Sequence, residues 1–142
     1  MTRLDNWQTQ LNSYLVHCFT TPFKYGQLDC GLFVAGAIEA MTGVDVAPPL
    51  RGKYRNRVEA FAAIKALCGR ATMEAAAAHI ARRFGITKIP VLFAQRGDAM
   101  VVGGGRRSTL GIIAMHGTEI LAPYKDGILR LPLNIATHAY RI

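Results

Sequence analysis

The chain has 142 residues, 51% of them hydrophobic, enough for one domain around a single packed core and too few for a second. Its longest apolar stretches, such as Gly31 to Ile38 and Ala75 to Ala78, fall far short of the roughly 20 residues that cross a bilayer, so no membrane span is expected. Seventeen Lys and Arg against nine Asp and Glu give a net charge of +8, which fixes the sign of a partner but not its kind: DNA, teichoic acid, lipid headgroups or an acidic protein patch would all satisfy it.

Met1 to Asn6 is polar and leads into an amphipathic segment, so it does not read as a secretory signal, and folding in a cytoplasm is expected. Leu4, Trp7, Leu11, Leu15 and Cys18 recur at steps of three and four, one face of a helix that ends near Thr20-Thr21-Pro22. Residues 22 to 29 form a loop. Asp29 then caps a helix from Cys30 to about Met41, closed by Gly43, which puts Cys30 in the first turn of a strongly apolar helix. Pro48-Pro49 to Gly52 is a connecting loop. Two further helices are predicted at about 55 to 67 and 72 to 84, stopped by Gly69 and Gly85.

From residue 86 the texture changes to short β-type runs: Ile86 to Ile89, Ala99 to Val102, Leu110 to Met115, Glu119 to Leu121, Ile128 to Leu131 and Ala139 to Ile142. Helices first and an antiparallel meander afterwards is an α+β order, with the N-terminal helices packed on the C-terminal sheet, in one domain spanning residues 1–142. Three cysteines, Cys18, Cys30 and Cys68, are an odd count without ligand-like spacing; reduced thiols, no metal and no cofactor are the expectation.

The segment Pro22-Phe23-Lys24-Tyr25-Gly26-Gln27-Leu28-Asp29-Cys30-Gly31-Leu32-Phe33-Val34 resembles the nucleophile motif of the NlpC-type, papain-like cysteine peptidases. Gly97-Asp98-Ala99-Met100-Val101 resembles that family's Gly-Asp-Leu-Val strand start, and Leu110-Gly111-Ile112-Ile113 its His-Val-Gly-Ile strand. The resemblance covers nearly the whole chain and implies a papain-like fold with Cys30 as candidate nucleophile at a helix N-terminus, where unpaired N–H groups and the helix dipole favour a thiolate.

The same resemblance implies a loss of function. The family's general-base histidine corresponds to Thr109, whose hydroxyl cannot take a thiol proton near neutral pH. The third polar residue, which orients the imidazole, would fall at about Leu121 or Ala122, neither of which accepts a hydrogen bond through its side chain. The family's first-motif tyrosine corresponds to Phe23. The pattern is closer still to a group of phage proteins related to this family, with Arg51-Gly52-Lys53-Tyr54 and a Leu-Gly-Ile strand without the histidine. That resemblance implies a catalytically degenerate tail-tip or baseplate protein of a tailed bacteriophage, assembled in the bacterial host cytoplasm and carried in the virion, with other tail proteins as partners. The alternative is an active peptidoglycan endopeptidase using Cys30 during phage entry, with a base from His116 or from a neighbouring chain, although Met115-His116-Gly117-Thr118 places that histidine at a hairpin tip.

The bland readings are a small buried hydrophobe for Cys30, core thiols for Cys18 and Cys68, and solvated or core positions for His17, His79 and His138. Gly103-Gly104-Gly105-Arg106-Arg107 lacks the Lys-Ser/Thr of a phosphate-binding loop and reads as a flexible basic β-loop. With Arg51, Lys53 and Arg55 it is the candidate partner-binding surface; Arg57 belongs to the same basic cluster, a solvated face or a contact surface. Nucleic-acid binding ranks third, because the few aromatics are not interleaved with the basic residues along the chain.

Overall fold

The computed structural model describes every residue, Met1–Ile142. Four helices come first: α1 (Trp7–Phe19), α2 (Cys30–Thr42), α3 (Arg57–Cys68) and α4 (Met73–Phe84). The last three begin as their sequences dictate. The side chains of Asp29, Asn56 and Thr72 accept hydrogen bonds from the N–H groups of Leu32, Glu59 and Ala75, while Gly43, Gly69 and Gly85 terminate them. Helix α1 has no side-chain cap and starts three residues later than the apolar spacing suggests; the Leu4 N–H bonds instead to the Met41 carbonyl at the end of α2 (2.8 Å).

Six strands follow: β1 (Thr87–Ile89), β2 (Ala99–Val102), β3 (Thr109–Ile113), β4 (Glu119–Tyr124), β5 (Gly127–Pro132) and β6 (Ala136–Arg141). They make one antiparallel sheet, so the α+β architecture with helices packed on a C-terminal antiparallel sheet is what the chain adopts. The order is β1-β6-β2-β3-β4-β5, which corrects the simple meander: the last strand returns and inserts between the first two. Asp98 is what holds it there. Fully buried, its carboxylate accepts from Arg3 Nη2 (2.9 Å), Arg141 Nε (2.9 Å), Gln95 N (2.9 Å) and Ile142 N (3.3 Å). One acceptor thus ties the segment before α1 and the end of β6 to the start of β2. A bulge between Val101 and Val102 skips Thr137, whose hydroxyl donates to the Val101 and Gly103 carbonyls.

The strand residues alternate between two cores, as a pleated sheet requires. Ala99, Val101, Leu110, Ile112, Leu121 and Tyr140 face the helices and join Leu11, Leu32, Phe33 and Ile38. Met100, Val102, Ile113, Ile120 and Ala139 face the other way, into a small second core covered by Val91, Ala94, Leu131 and Leu133. An apolar cavity of about 70 Å³ remains between α2, α4 and the sheet.

The sheet divides at one place. β2 and β3 stay paired through Val102↔Thr109, and β4 and β5 through Tyr124↔Gly127, but β3 and β4 pair only at Ile112↔Leu121 and Ile113↔Ile120. Continuing that register would set Leu110 against Pro123, and proline has no N–H to give the ladder. The strands therefore part beyond Ile112.

Candidate functional site

The loop before α2 is folded around Asp29. Its carboxylate, 5% exposed, accepts from the Leu32 N–H (3.0 Å), the Gly26 N–H (3.0 Å) and the Tyr54 hydroxyl (2.6 Å). Burial, then the neighbouring Asp29 charge and the short bond to it, push the Tyr54 phenol well above its ordinary range. Gly26 has φ +83°, and a side chain there would meet the Tyr54 carbonyl at 2.1 Å, so only glycine permits this close approach of the two loops. The result is a rigid platform that starts α2 at Cys30.

Cys30 faces the fork in the sheet. Thr109, the first residue of β3, lies against its sulfur together with the backbone N–H groups of Leu110 and Gly31. Those donors favour the thiolate, but burial is the larger effect and pushes the Cys30 thiol up from its ordinary value. The Leu110 N–H is available because alternate β3 amides serve β2. Ile113 N–H bonds to the Asp98 carbonyl (3.1 Å), so Leu110, three residues back, directs its N–H to the opposite side, where Pro123 interrupts the pairing.

An open cleft of about 350 Å³ lies over the sulfur. Leu50, Ala60, Ile64 and Met73 line its apolar part. Phe23 and Tyr25, packed edge-to-face with centroids 5.0 Å apart, Tyr54, Phe61 and Tyr124 supply aromatic wall, and Arg57, Arg106, Arg107 and Lys125 supply cations. Aromatic and basic residues that are separate in sequence therefore converge in space.

The structure brings Cys30 and Thr109 together and does not bring Leu121 to them. Leu121 is buried in the helix-side core opposite Ile112, and Ala122 is buried beside it; the β4 residues that reach the cleft are Pro123 and Tyr124. None of the four histidines lines the cleft. His116 lies in the β3–β4 turn, beyond about 13 Å of strand from Thr109 at roughly 3.3 Å per residue, bonded to the Thr118 hydroxyl and paired with Glu119. His138 pairs with Glu74.

Of the basic positions, Arg106 and Arg107 border the cleft, in a short 3₁₀ turn where a flexible loop was expected. Arg51 is held by Asp45 (2.9 Å) and Glu39 (3.3 Å), and Arg55 pairs with Glu59, while Lys53 is exposed without an ion pair. Cys18 is buried as expected; Cys68 is only half-buried, at the end of α3. Arg57, read from sequence as part of a basic cluster with Arg51, Lys53 and Arg55, is the member of that cluster that lines the cleft, whereas Tyr54, Tyr124 and Lys125 were not expected there. The Arg51-Gly52-Lys53-Tyr54 segment and a proline inside a β run were the available signals for Tyr54 and for the fork.

Residues 2–142 match the model of a protein family described as "Domain of unknown function (DUF6950)". A comparison with curated proteins finds no match. The chain is similar to a crystal structure of the NlpC/p60 domain of the peptidoglycan hydrolase SagA, with a TM-score of 0.58 and 14% identity over 95% of this chain and 98% of that one. At that identity the likeness concerns the fold, and it agrees with four helices on a six-stranded antiparallel sheet. The chain belongs to the family described as Domain of unknown function (DUF6950), and its fold is NlpC/p60-like.

Proposed function

We propose that the chain is a non-hydrolytic NlpC-type module, a structural protein of the tail tip or baseplate of a tailed bacteriophage in which the old peptidase cleft serves contact with other tail proteins. The observation that carries this reading is Thr109 beside the Cys30 sulfur, with no imidazole lining the cleft. A thiol must lose its proton to attack a carbonyl, and an alcohol cannot accept it near neutral pH. Burial, which raises the Cys30 pKa, works in the same direction. The viral setting is supported by the resemblance of the Phe23 to Cys30, Arg51 to Tyr54 and Leu110 to Ile112 segments to phage proteins, and a virion location is part of the same proposal.

The test is incubation of the purified chain with peptidoglycan stem peptides, products being read by mass spectrometry. No cleavage is expected; cleavage that disappears in Cys30→Ala overturns the reading. Antibody labelling at one end of the tail in electron micrographs is expected, and its absence from assembled particles would remove the virion assignment.

One observation favours a second reading, an active peptidoglycan endopeptidase: Cys30 still begins a capped helix at an open cleft. Thiolate attack on a peptide carbonyl would then need a base from a neighbouring chain, since His116 lies at the other end of β3.

A further inference from the structure

Arg57, Arg106, Arg107 and Lys125 converge on the cleft from α3, the β2–β3 connection and the β4–β5 turn, and none of them is paired with a carboxylate. Outside the cleft Arg3, Arg51, Arg55, Arg130 and Arg141 each have an acidic partner, while Arg70, Arg82, Arg83 and Arg96 have none; what sets the four cleft cations apart is that three separate elements bring them, unpaired, to one concave surface. The single acid lining the cleft, Asp29, is buried and already accepts three hydrogen bonds. Unpaired cations facing one another around a partly apolar surface repel, and an anionic guest with an apolar body relieves that repulsion while covering the surface.

The rings decide the kind of guest. Single-stranded nucleic acid needs open aromatic faces for successive bases. Here Phe23 and Tyr25 pack on each other, Phe61 is covered by the Arg57 guanidinium at 5.3 Å, and Tyr54 is buried and bonded to Asp29. Tyr124, 53% exposed, is the one cleft ring more than half open to solvent. A guanidinium stacked on a ring keeps its N–H edge free for bidentate bonding to a planar carboxylate.

We propose that the cleft over Cys30 is the docking groove for an acidic, extended polypeptide segment of a neighbouring protein, its carboxylates held by Arg57, Arg106, Arg107 and Lys125. The proposal rests on the non-hydrolytic reading of the same cleft and names its partner class.

The test uses the full chain and a fluorescein-labelled peptide alternating Glu and Phe, with fluorescence anisotropy as readout. Binding is expected, weakening about tenfold for each of Arg57→Gln, Arg106→Gln and Arg107→Gln, the loss that follows from removing one charge-assisted hydrogen bond. All three side chains are exposed and free of ion pairs, and circular dichroism confirms that the variants fold. Lys88→Gln, an exposed charge remote from the cleft on β1, should bind as the parent does. Equal affinity for the Gln-and-Phe peptide, unchanged binding by the arginine variants, or displacement by an oligothymidylate at lower concentration than by unlabelled acidic peptide would each overturn the proposal. Stem-peptide cleavage dependent on Cys30 would overturn the non-hydrolytic reading instead, so the two failures are distinguishable.

Discussion

Replacing Thr109 by histidine places an imidazole where the hydroxyl now meets the Cys30 sulfur, and the open cleft beside Thr109 leaves room for the larger ring. A free thiol with a pKa of about 8.5 is about 0.3% thiolate near pH 6, and Cys30, raised by burial, ionises less than that. A thiol activated by imidazole and titrating near about 6 would be about half thiolate, a gain of roughly 150-fold. Intrinsic nucleophilicity falls with pKa at a Brønsted coefficient of about 0.4–0.5, so a drop of roughly 2.5 units removes about ten- to eighteenfold. Alkylation of Cys30 by iodoacetamide near pH 6, followed residue by residue by mass spectrometry, should therefore be roughly tenfold faster in Thr109→His. The two pH profiles should differ in shape as well: the parent rate keeps climbing past about pH 8.5, whereas the variant levels off below about 7.5. A folded Thr109→His protein with unchanged Cys30 kinetics would refute the placement of residue 109 against the sulfur. A parent profile that levels off below about 8.5 would refute the protonated resting thiol.

Asp98→Asn puts an amide N–H₂ among donors and is expected to lower stability by about 3 kcal/mol, a figure already reduced for the part-exposed Arg3 and Arg141; calorimetry should show a Tm lower by roughly 10 °C, and a change under about 1 kcal/mol would deny Asp98 its role. Tyr54→Phe removes the 2.6 Å bond to the buried Asp29 carboxylate and should cost about 2 kcal/mol in urea denaturation, with full retention of stability counting against the platform. Because the folded Cys30 pKa is raised, the unfolded chain ionises first on the way up. Stability from this group is complete below the free-thiol value of about 8.5 and declines as pH rises through the folded value. Cys30→Ala should flatten that decline, and an identical slope in parent and variant would contradict the direction of the shift.

Local physics was legible in the chain and long-range register was not. Asp29 and Gly43 announced α2, Gly85 announced the end of α4, and the run Ala99 to Val102 became a strand at those residues. The return of β6 depends on Asp98 meeting Arg3 and Arg141 from opposite ends of the sequence, which no local pattern encodes. Leu121 was drawn to the site by counting one hairpin forward from Thr109. The actual pairing sets Leu121 against Ile112, and the fork then carries Pro123 and Tyr124 to the cleft. The charges were visible as counts, but Arg51 had partners in Asp45 and Glu39, whereas Arg57 and Lys125 acquired meaning only when α3 and the β4–β5 turn faced each other.

Pro123 gives the sheet a built-in indicator. Where the strands part at Pro123, the Leu110 amide is left out of the β3–β4 ladder and lies against the thiol, so its proton senses the charge on a sulfur distant in sequence. In an amide-resolved NMR spectrum the Leu110 signal should follow the ionisation of Cys30, and shift again when a guest fills the cleft. Ile112, one ladder step further on and still paired with Leu121, should stay still and serve as the internal reference.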